Sequence, residues 1–438
     1  MLPFVRRVRD LRPVTLPSVD QERTGLPPSV VQRGMRLGVA EGVLTQVHLS
    51  LTVGTLATGL ALLLGASSFE LGFLAALPVL GTLIQLPAAW WVERTGKRRR
   101  LAVAGSLGRQ LWIVPALLLF LPLATPAKLV LFLLATAVGH MMLAAAANAW
   151  TGWMTELIPA SVRGRYFGAR GAMMSGAAMV TGYGGAWLVD QGRAAGDEAS
   201  VYVGLLVLAV VSGGLGSVLL SRQPEPAPSG GVRYGWRDLL LLPARHQRFR
   251  AWVGAFMVWQ TGLGVAAPFF VAYGLTELKL PLQTLALMDT ISALTGLLAQ
   301  PYWGRLADRL GHRRVLLICM ALVVPLPWNW LLATPTRIWP LFFNAILSGG
   351  LWAGLGMTQT NRLMEQAPAE GRGAYFAAFS VATGLAYTVA SLAAGALVST
   401  IGLDPVTVAG MTFHPYQAFF LLSGILRLSA LVLGGRAV

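Results

Sequence analysis

Gly304-Arg305-Leu306-Ala307-Asp308-Arg309-Leu310-Gly311-His312-Arg313-Arg314 is a charged turn wedged between two long apolar runs. A weaker copy, Ala89-Trp90-Trp91-Val92-Glu93-Arg94-Thr95-Gly96-Lys97-Arg98-Arg99, lies 215 positions earlier. Acid, base, glycine and basic pair keep their spacing: Glu93 matches Asp308, Arg94 matches Arg309, Gly96 matches Gly311, and Arg98-Arg99 matches Arg313-Arg314. A second match follows at a shift of 209, where Glu156, Pro159, Arg163-Gly164 and Tyr166-Phe167 align with Glu365, Pro368, Arg372-Gly373 and Tyr375-Phe376. Two matches in the same order establish an internal duplication, the sequence mark of architectures built from repeated halves.

Around these turns the chain is apolar. Hydrophobic residues make up 55% of it and charged residues 12%, with a mean hydropathy of +0.62; a soluble domain carries roughly twice that charge, about 25%. Runs long enough to cross about 30 Å of hydrocarbon fall near 37–64, 70–92, 101–122, 127–154, 166–189 and 200–220, then near 251–274, 283–304, 315–333, 338–363, 375–400 and 415–434. The runs are continuous, without the alternation a membrane β-barrel needs. The expected fold is therefore an all-α membrane protein of twelve transmembrane helices in two pseudo-symmetric six-helix bundles.

Its expected divisions are an N-terminal cytoplasmic segment at 1–36, a first bundle at 37–220, a linker at 221–250 and a second bundle at 251–438. The linker opens on Pro224-Glu-Pro-Ala-Pro-Ser-Gly-Gly231 and continues into Arg233, Arg237, Arg245, Arg248 and Arg250, which reads as a flexible tether ending in a membrane-surface segment.

The +16 charge does not require a nucleic-acid partner. Most Lys and Arg fall in loops on one side, with Lys128, Arg193, Lys279 and Arg337 on the other. This bias orients the chain with both termini cytoplasmic in the cell (inner) membrane. The first 35 residues hold no short apolar core with a small-residue cleavage site, so the first helix is expected to act as the insertion signal. Cys319 is the only cysteine, which rules out an internal disulfide or a cysteine-cluster metal site. No cofactor and no metal are expected, and the chain is expected to be a monomer in the lipid bilayer.

Twelve spans, a long linker after the sixth, and a G-x-L-A-D-R-x-G-x-R-R turn after the second and the eighth resemble the major facilitator superfamily over essentially the whole chain. The turn at 89–99 departs in having Ala89 for the leading glycine and Glu93 for the aspartate. Glu156 with Arg163-Gly164-Arg165-Tyr166-Phe167-Gly168 and Arg170 resembles a prokaryotic branch of that superfamily. The Gly-Pro-rich motif of its drug/proton antiporters is not reproduced: Gly182-Tyr183-Gly184-Gly185 lacks a proline. The resemblance implies secondary transport by alternating access, with the turns forming a cytoplasmic gate. Glu93 would face the start of the eleventh helix near Ala374-Tyr375, and Asp308 the start of the fifth near Arg165-Tyr166, where free N–H groups favour a carboxylate. Gly96, Arg94, Arg98, Gly304, Arg309, Gly311 and Arg313 complete the gate, and Glu156 and Glu365 are expected to pair with Arg94/Arg98 and Arg309/Arg313.

Ionisable residues inside spans are costly and usually face a cavity or a partner. Glu41, Thr45, His48 and Thr52 recur on one face of the first helix, which lines the cavity in the superfamily, and form the leading candidate for substrate or proton coupling. Histidine is poised near neutrality, whereas Glu41 would need desolvation to hold a proton. Arg109 lies eight residues into the third span, where it either neutralises an acid such as Glu41 or offers a fork to an anionic substrate. His140, Asn148, Gln260, Gln359 and Asn361 are further candidates. Arg362 precedes Glu365 by three, the spacing of a local ion pair. Asp289 either titrates or sits solvated near the outer mouth. Gly171, Gly176, Gly182, Gly184, Gly185, Gly384 and Gly395 are expected at close helix contacts.

No nucleotide-binding loop is present. The function expected is transport of a small molecule driven by a solute or proton gradient. Export is favoured by mostly apolar cavity helices, and uptake of a sugar or organic anion is the runner-up. A receptor or lipid-handling protein on the same fold is the rival from another class; an enzyme is not expected, since no nucleophile–base pair or metal cluster is evident.

Overall fold

A computed structural model describes residues 26–226, 246–366, 372–402, 406–408 and 411–437. Within them run twelve long helical segments: α1 (Pro28–Leu63), α2 (Ser68–Val92), α3 (Arg98–Leu118), α4 (Thr125–Leu157), α5 (Ala160–Ala194), α6 (Glu198–Ser221), α7 (Gln247–Thr276), α8 (Leu282–Leu310), α9 (His312–Leu332), α10 (Trp339–Gln366), α11 (Arg372–Ile401) and α12 (Pro415–Ala437). Eleven of these are long and apolar enough to cross a membrane, and α5 is the exception. Its arginines and glycines dilute the apolar run that the sequence shows at 166–189.

The starts follow local chemistry. α1 begins at Pro28, nine residues before its apolar run, because a proline costs no hydrogen bond in the first helical turn. Ser67 and Glu70 form a capping box at α2. Both charged turns end a helix on a glycine with positive φ, 65° at Gly96 and 82° at Gly311, a region a side chain disfavours.

The helices pack in two copies of one pattern. α1 lies on α5 and α6, α3 on α4, and α2 on α4; likewise α7 lies on α11 and α12, α9 on α10, and α8 on α10. A short antiparallel pair, β1 (Val406–Val408) and β2 (Met411–Phe413), precedes α12 with Val406 opposite Phe413. The all-helical expectation omits this pair, whose Val406, Thr407, Val408 and Thr412 are β-branched.

The halves meet along α2–α11 and α5–α8. One apolar core spans both, joining Leu51, Leu71 and Ala186 to Phe269, Leu282 and Tyr416. The other two cores each stay within a half: Phe249, Val315 and Leu363 in the second, and Val31, Ala102 and Trp153 in the first. The shared core lies at the face away from the charged turns, and the separate cores lie at the face that carries them. Among the described residues the halves thus share a core at the far face and keep separate cores at the basic one.

Gly72 and Gly395 make the α2–α11 contact tight. A Cβ on Gly72 would come within 2.6 Å of the Ser391 carbonyl oxygen, and one on Gly395 within 2.7 Å of that of Ser68. The glycines of α5 behave differently: a Cβ at Gly171, Gly176, Gly182 or Gly184 would meet nothing within 4 Å. Of the five glycines of α5 expected at close contacts, Gly185 alone has one, beside Leu51 and Leu56.

Most of the expected linker, 227–245, lies outside the described residues. Ser221 ends α6 and Gln247 starts α7. Its first residues dock on the first half, where Trp153 Nε1 donates to the Pro224 carbonyl at 2.8 Å and the Arg99 amide to Glu225 at 3.2 Å.

Candidate functional site

Three polar arrangements occupy the interior. The first lies inside the N-terminal half. Glu41 is 3% exposed and sits between two guanidiniums, with Arg109 Nη2 3.1 Å from Oε1 and Arg170 Nη2 3.2 Å from Oε2. Thr45, one turn on, donates to Oε1 at 2.6 Å. Arg170 also donates to the Gly38 carbonyl at 3.0 Å and lies over the Trp150 ring, 4.3 Å from its centroid. Glycines make the room: a Cβ on Gly42 would meet Arg170 Nε at 2.7 Å, and one on Gly213 would meet Arg109 Cβ at 2.8 Å.

His48 is fully buried in the same half, and its Nδ1–H donates to the Ala209 carbonyl of α6 at 3.0 Å. The carbonyl can only accept, which places the proton on Nδ1. The Glu41-Thr45-His48-Thr52 stripe therefore faces α3, α5 and α6 within its own bundle. It does not line the space between the halves, because two arginines and a tight α1–α6 contact draw it inward.

The second arrangement is at the centre. α1 breaks between Thr52 and Thr55, where Gly54 has φ 73°. A broken helix at membrane depth is tolerated where it lines a cavity, and this one does. A cavity of about 240 Å³ is lined by Ser50, Gly54, Thr55, Met179, Gly182 and Asp289. Thr55 and Asp289 also line a second cavity of about 280 Å³, which runs into the C-terminal half past Phe270, Trp330, Asn344 and Trp352 to Arg427. Thr55 Oγ1 donates to Asp289 Oδ2 at 2.7 Å, tying α1 to α8 across the halves.

Arg427 of α12 is 5% exposed, and its Nε is buried without a hydrogen-bond partner. Among the described residues no carboxylate lies within ion-pair distance of it. Its stem packs on α7, where a Cβ on Gly262 would meet Arg427 Cγ at 3.1 Å.

The third arrangement closes the far face. Asp190, near the end of α5, accepts from the amides of Leu282 at 3.0 Å and Gln283 at 2.8 Å, the first residues of α8. A carboxylate suits the unpaired N–H groups of a helix start. Along the other inter-half contact, α2–α11, the Phe69 amide donates to Ser399 Oγ at 3.0 Å, and Ser391 Oγ to the Gly72 carbonyl at 2.8 Å.

At the basic face the described gate residues make their contacts within their own half. The side chain of Glu93 and the segment preceding α11 fall outside the described residues. Asp308 is exposed and makes no hydrogen bond or ion pair among the described residues. Arg94 stacks on its own helix, 4.1 Å from the Trp90 centroid. Arg98 is buried and 2.6 Å from Glu156. Glu365 makes the local pair expected with Arg362, at 2.6 Å, and lies 4.0 Å from His312 in place of Arg309 or Arg313. Arg309 and Arg313 are exposed, with Arg313 donating to the Gly435 carbonyl at 3.2 Å.

The remaining candidates scatter. Asn148 donates to the Gln85 carbonyl at 3.3 Å, next to the 3₁₀ stretch of α2 at Thr82–Ile84. Asn361 Nδ2 lies 3.4 Å from His312 Nδ1. His140, Gln260 and Gln359 are half-buried and line neither cavity. Sequence reasoning passed over Arg427, Arg170, Asp190 and Thr55. The first three are charges in or at the edge of apolar runs, a signal strong enough to have flagged them; Thr55 is visible only through its contact.

The family model described as Major Facilitator Superfamily matches residues 42–280 and 252–437. No curated protein matches the chain. Among solved structures, a single-site mutant of the nucleoside transporter NupG superposes with a TM-score of 0.70 at 14% identity, covering 92% of this chain and 99% of that one. A second structure of the nucleoside transporter NupG gives 0.61 at 14% identity, covering 93% and 98%. At that identity the likeness is one of fold.

Proposed function

The chain belongs to the major facilitator superfamily, and on that premise we propose that it works as a multi-pass secondary transporter of a small molecule in the following way. The halves, 37–220 and 251–438, rock about the Thr55–Asp289 contact. The basic face is cytoplasmic, by the positive-inside bias, which sets both termini inside the cell membrane. The observation that carries this reading is the asymmetry of the interface: carboxylate-capped, glycine-tight and core-sharing at the outer face, and with separate cores, among the described residues, at the cytoplasmic one.

In the opposite state Glu93 and Asp308 approach the starts of α11 and α5, as Asp190 now approaches the start of α8. One device, an acid at the other half's helix N-terminus, would then latch each face in turn.

Coupling is assigned to Asp289 and not to the α1 stripe. Protonating Glu41 would strip the counter-charge from the buried Arg109 and the half-buried Arg170, whereas Asp289 is free of cations at contact distance among the described residues, faces the cavity and touches the moving interface. A proton moving inward with the solute makes the protein an uptake system. Export in exchange for a proton is the second reading, favoured by Leu285, Met288 and Phe270 in the cavity wall.

Reconstitution in liposomes with an imposed pH gradient tests this. Accumulation of solute should collapse in Asp289→Asn while counterflow persists, and should survive His48→Ala in whatever fraction folds. Accumulation intact in Asp289→Asn would refute the assignment.

A further inference from the structure

A cation without a counter-ion at membrane depth needs an explanation, because such a group is otherwise expelled or neutralised. Arg427 is one. It lies inside the C-terminal bundle, its Nε sealed, on the wall of the 280 Å³ cavity. The other charged group in the wall is Asp289. The rest of the lining near them is neutral: Thr55, Ser292 and Asn344 supply polar atoms, and Phe270, Trp330 and Trp352 supply ring faces. Across from Asp289, α5 contributes Ala178, Met179 and Gly182, none of them charged.

We propose that this cavity takes an organic monocarboxylate with an apolar or aromatic body, Arg427 holding the carboxylate while Asp289 carries the proton that travels with it. This rests on the alternating-access reading above and supplies its substrate class.

Charge counting selects the class. Empty, the cavity holds one cation and one carboxylate and is neutral overall. A bound monocarboxylate adds a negative charge that a low-dielectric site tolerates poorly. One proton on Asp289 restores neutrality, so ligand and proton bind best together. A dianion such as phosphate would leave an uncompensated charge even then. A neutral solute would leave the Arg427 fork unmatched, which a planar carboxylate satisfies through parallel N–H bonds. The aromatic rings give the body of the ligand its contact area.

The test uses the full-length wild-type protein in nanodiscs. Thermal unfolding is followed with benzoate, phenylacetate, indole-3-acetate and straight-chain carboxylates of increasing length, each beside its amide, together with inorganic phosphate and uridine. At least one carboxylate should raise the melting temperature while its amide does not, with binding weakening by about tenfold as pH rises by one unit above neutrality, the signature of one linked proton. Arg427→Gln should reduce affinity by about tenfold or more, as expected for losing a charge-assisted bond. Arg427→Lys should recover part of it, and Asp289→Asn should keep binding but lose the pH dependence.

No response to any carboxylate overturns the proposal, as does equal response to acid and amide, or a preference for phosphate or uridine. Distances between spin labels at the two faces, read on the same samples, report alternation separately. Alternation without carboxylate binding sinks the ligand assignment alone, whereas a molecule with one fixed set of distances sinks the reading beneath it.

Discussion

Each half of the molecule buries an arginine at membrane depth, and the two are handled in opposite ways. Arg109 rests in a notch made by Gly213 and Gly216 of α6, and its charge is met by Glu41, which Arg170 also engages. Arg427 comes from α12, the helix that corresponds to α6, packs on Gly262 of α7, and has no acid at contact distance among the described residues. The charge of the first arginine is met within the protein, although its Nε and Nη1 are buried without a hydrogen-bond partner. The charge of the second is met only when something else enters. A duplicated scaffold thus keeps one half as a charge-closed body and uses the other to receive a ligand.

The comparison breaks most sharply at Glu41. Glu41→Gln leaves the buried Arg109 and the half-buried Arg170 without their counter-charge, and removing one partner from a buried pair costs about 3–5 kcal/mol. The expected outcome is a large fall in melting temperature and in the yield of folded protein; a melting point near wild type would mean that water, not Glu41, compensates the arginines.

Arg109→Met is gentler, because Arg170 still holds the carboxylate. The loss expected is that of one charged hydrogen bond, about 1.5–3 kcal/mol, read in the same unfolding assay. Gly213→Ala tests the notch rather than the charge. Its Cβ would press on Arg109 Cβ at 2.8 Å, close to the backbone where little can yield, at a cost of about 1–3 kcal/mol. An unchanged melting point would show that α3 and α6 are loosely packed.

Arg427→Met should do least to stability. Replacing an unmatched buried charge by an apolar side chain of similar length is expected to leave the melting temperature unchanged or raise it, while carboxylate binding is lost. A fall as large as that of Arg109→Met would reveal a partner for Arg427 and erase the contrast.

Much of the fold was legible in the sequence. The repeated turns and the twelve apolar runs gave the halves and their order, since hydrophobic length and charge asymmetry are local properties. α5 forms as a helix where the apolar run at 166–189 lies, and only the β1–β2 pair, three residues to a strand, is too short for a pattern to reveal. Residue roles were harder to read. The stripe on α1 is real as a stripe, yet its direction depends on where α3, α5 and α6 place Arg109, Arg170 and Ala209, which no local pattern encodes. Arg109 was legible because burial of a cation demands a partner and Glu41 was in reach. Arg427 carries the same signal in the last apolar run and went unused. The outer seal through Asp190 needs two segments 92 residues apart in sequence to meet, and periodicity is silent on that.

The central claim is that the outer and basic faces close alternately, and one measurement tests it directly. Spin labels at Arg100 and Arg314, exposed on the basic face of the two halves, and at Gly196 and Lys279, exposed on the outer face, are read as distance distributions in nanodiscs. The account predicts two populations for each pair, the outer pair short when the basic pair is long. Asp190→Asn, which weakens the outer latch, should shift weight toward a long outer and a short basic distance, and Asp308→Asn should shift it back. A single distance for each pair, indifferent to both substitutions, would contradict it.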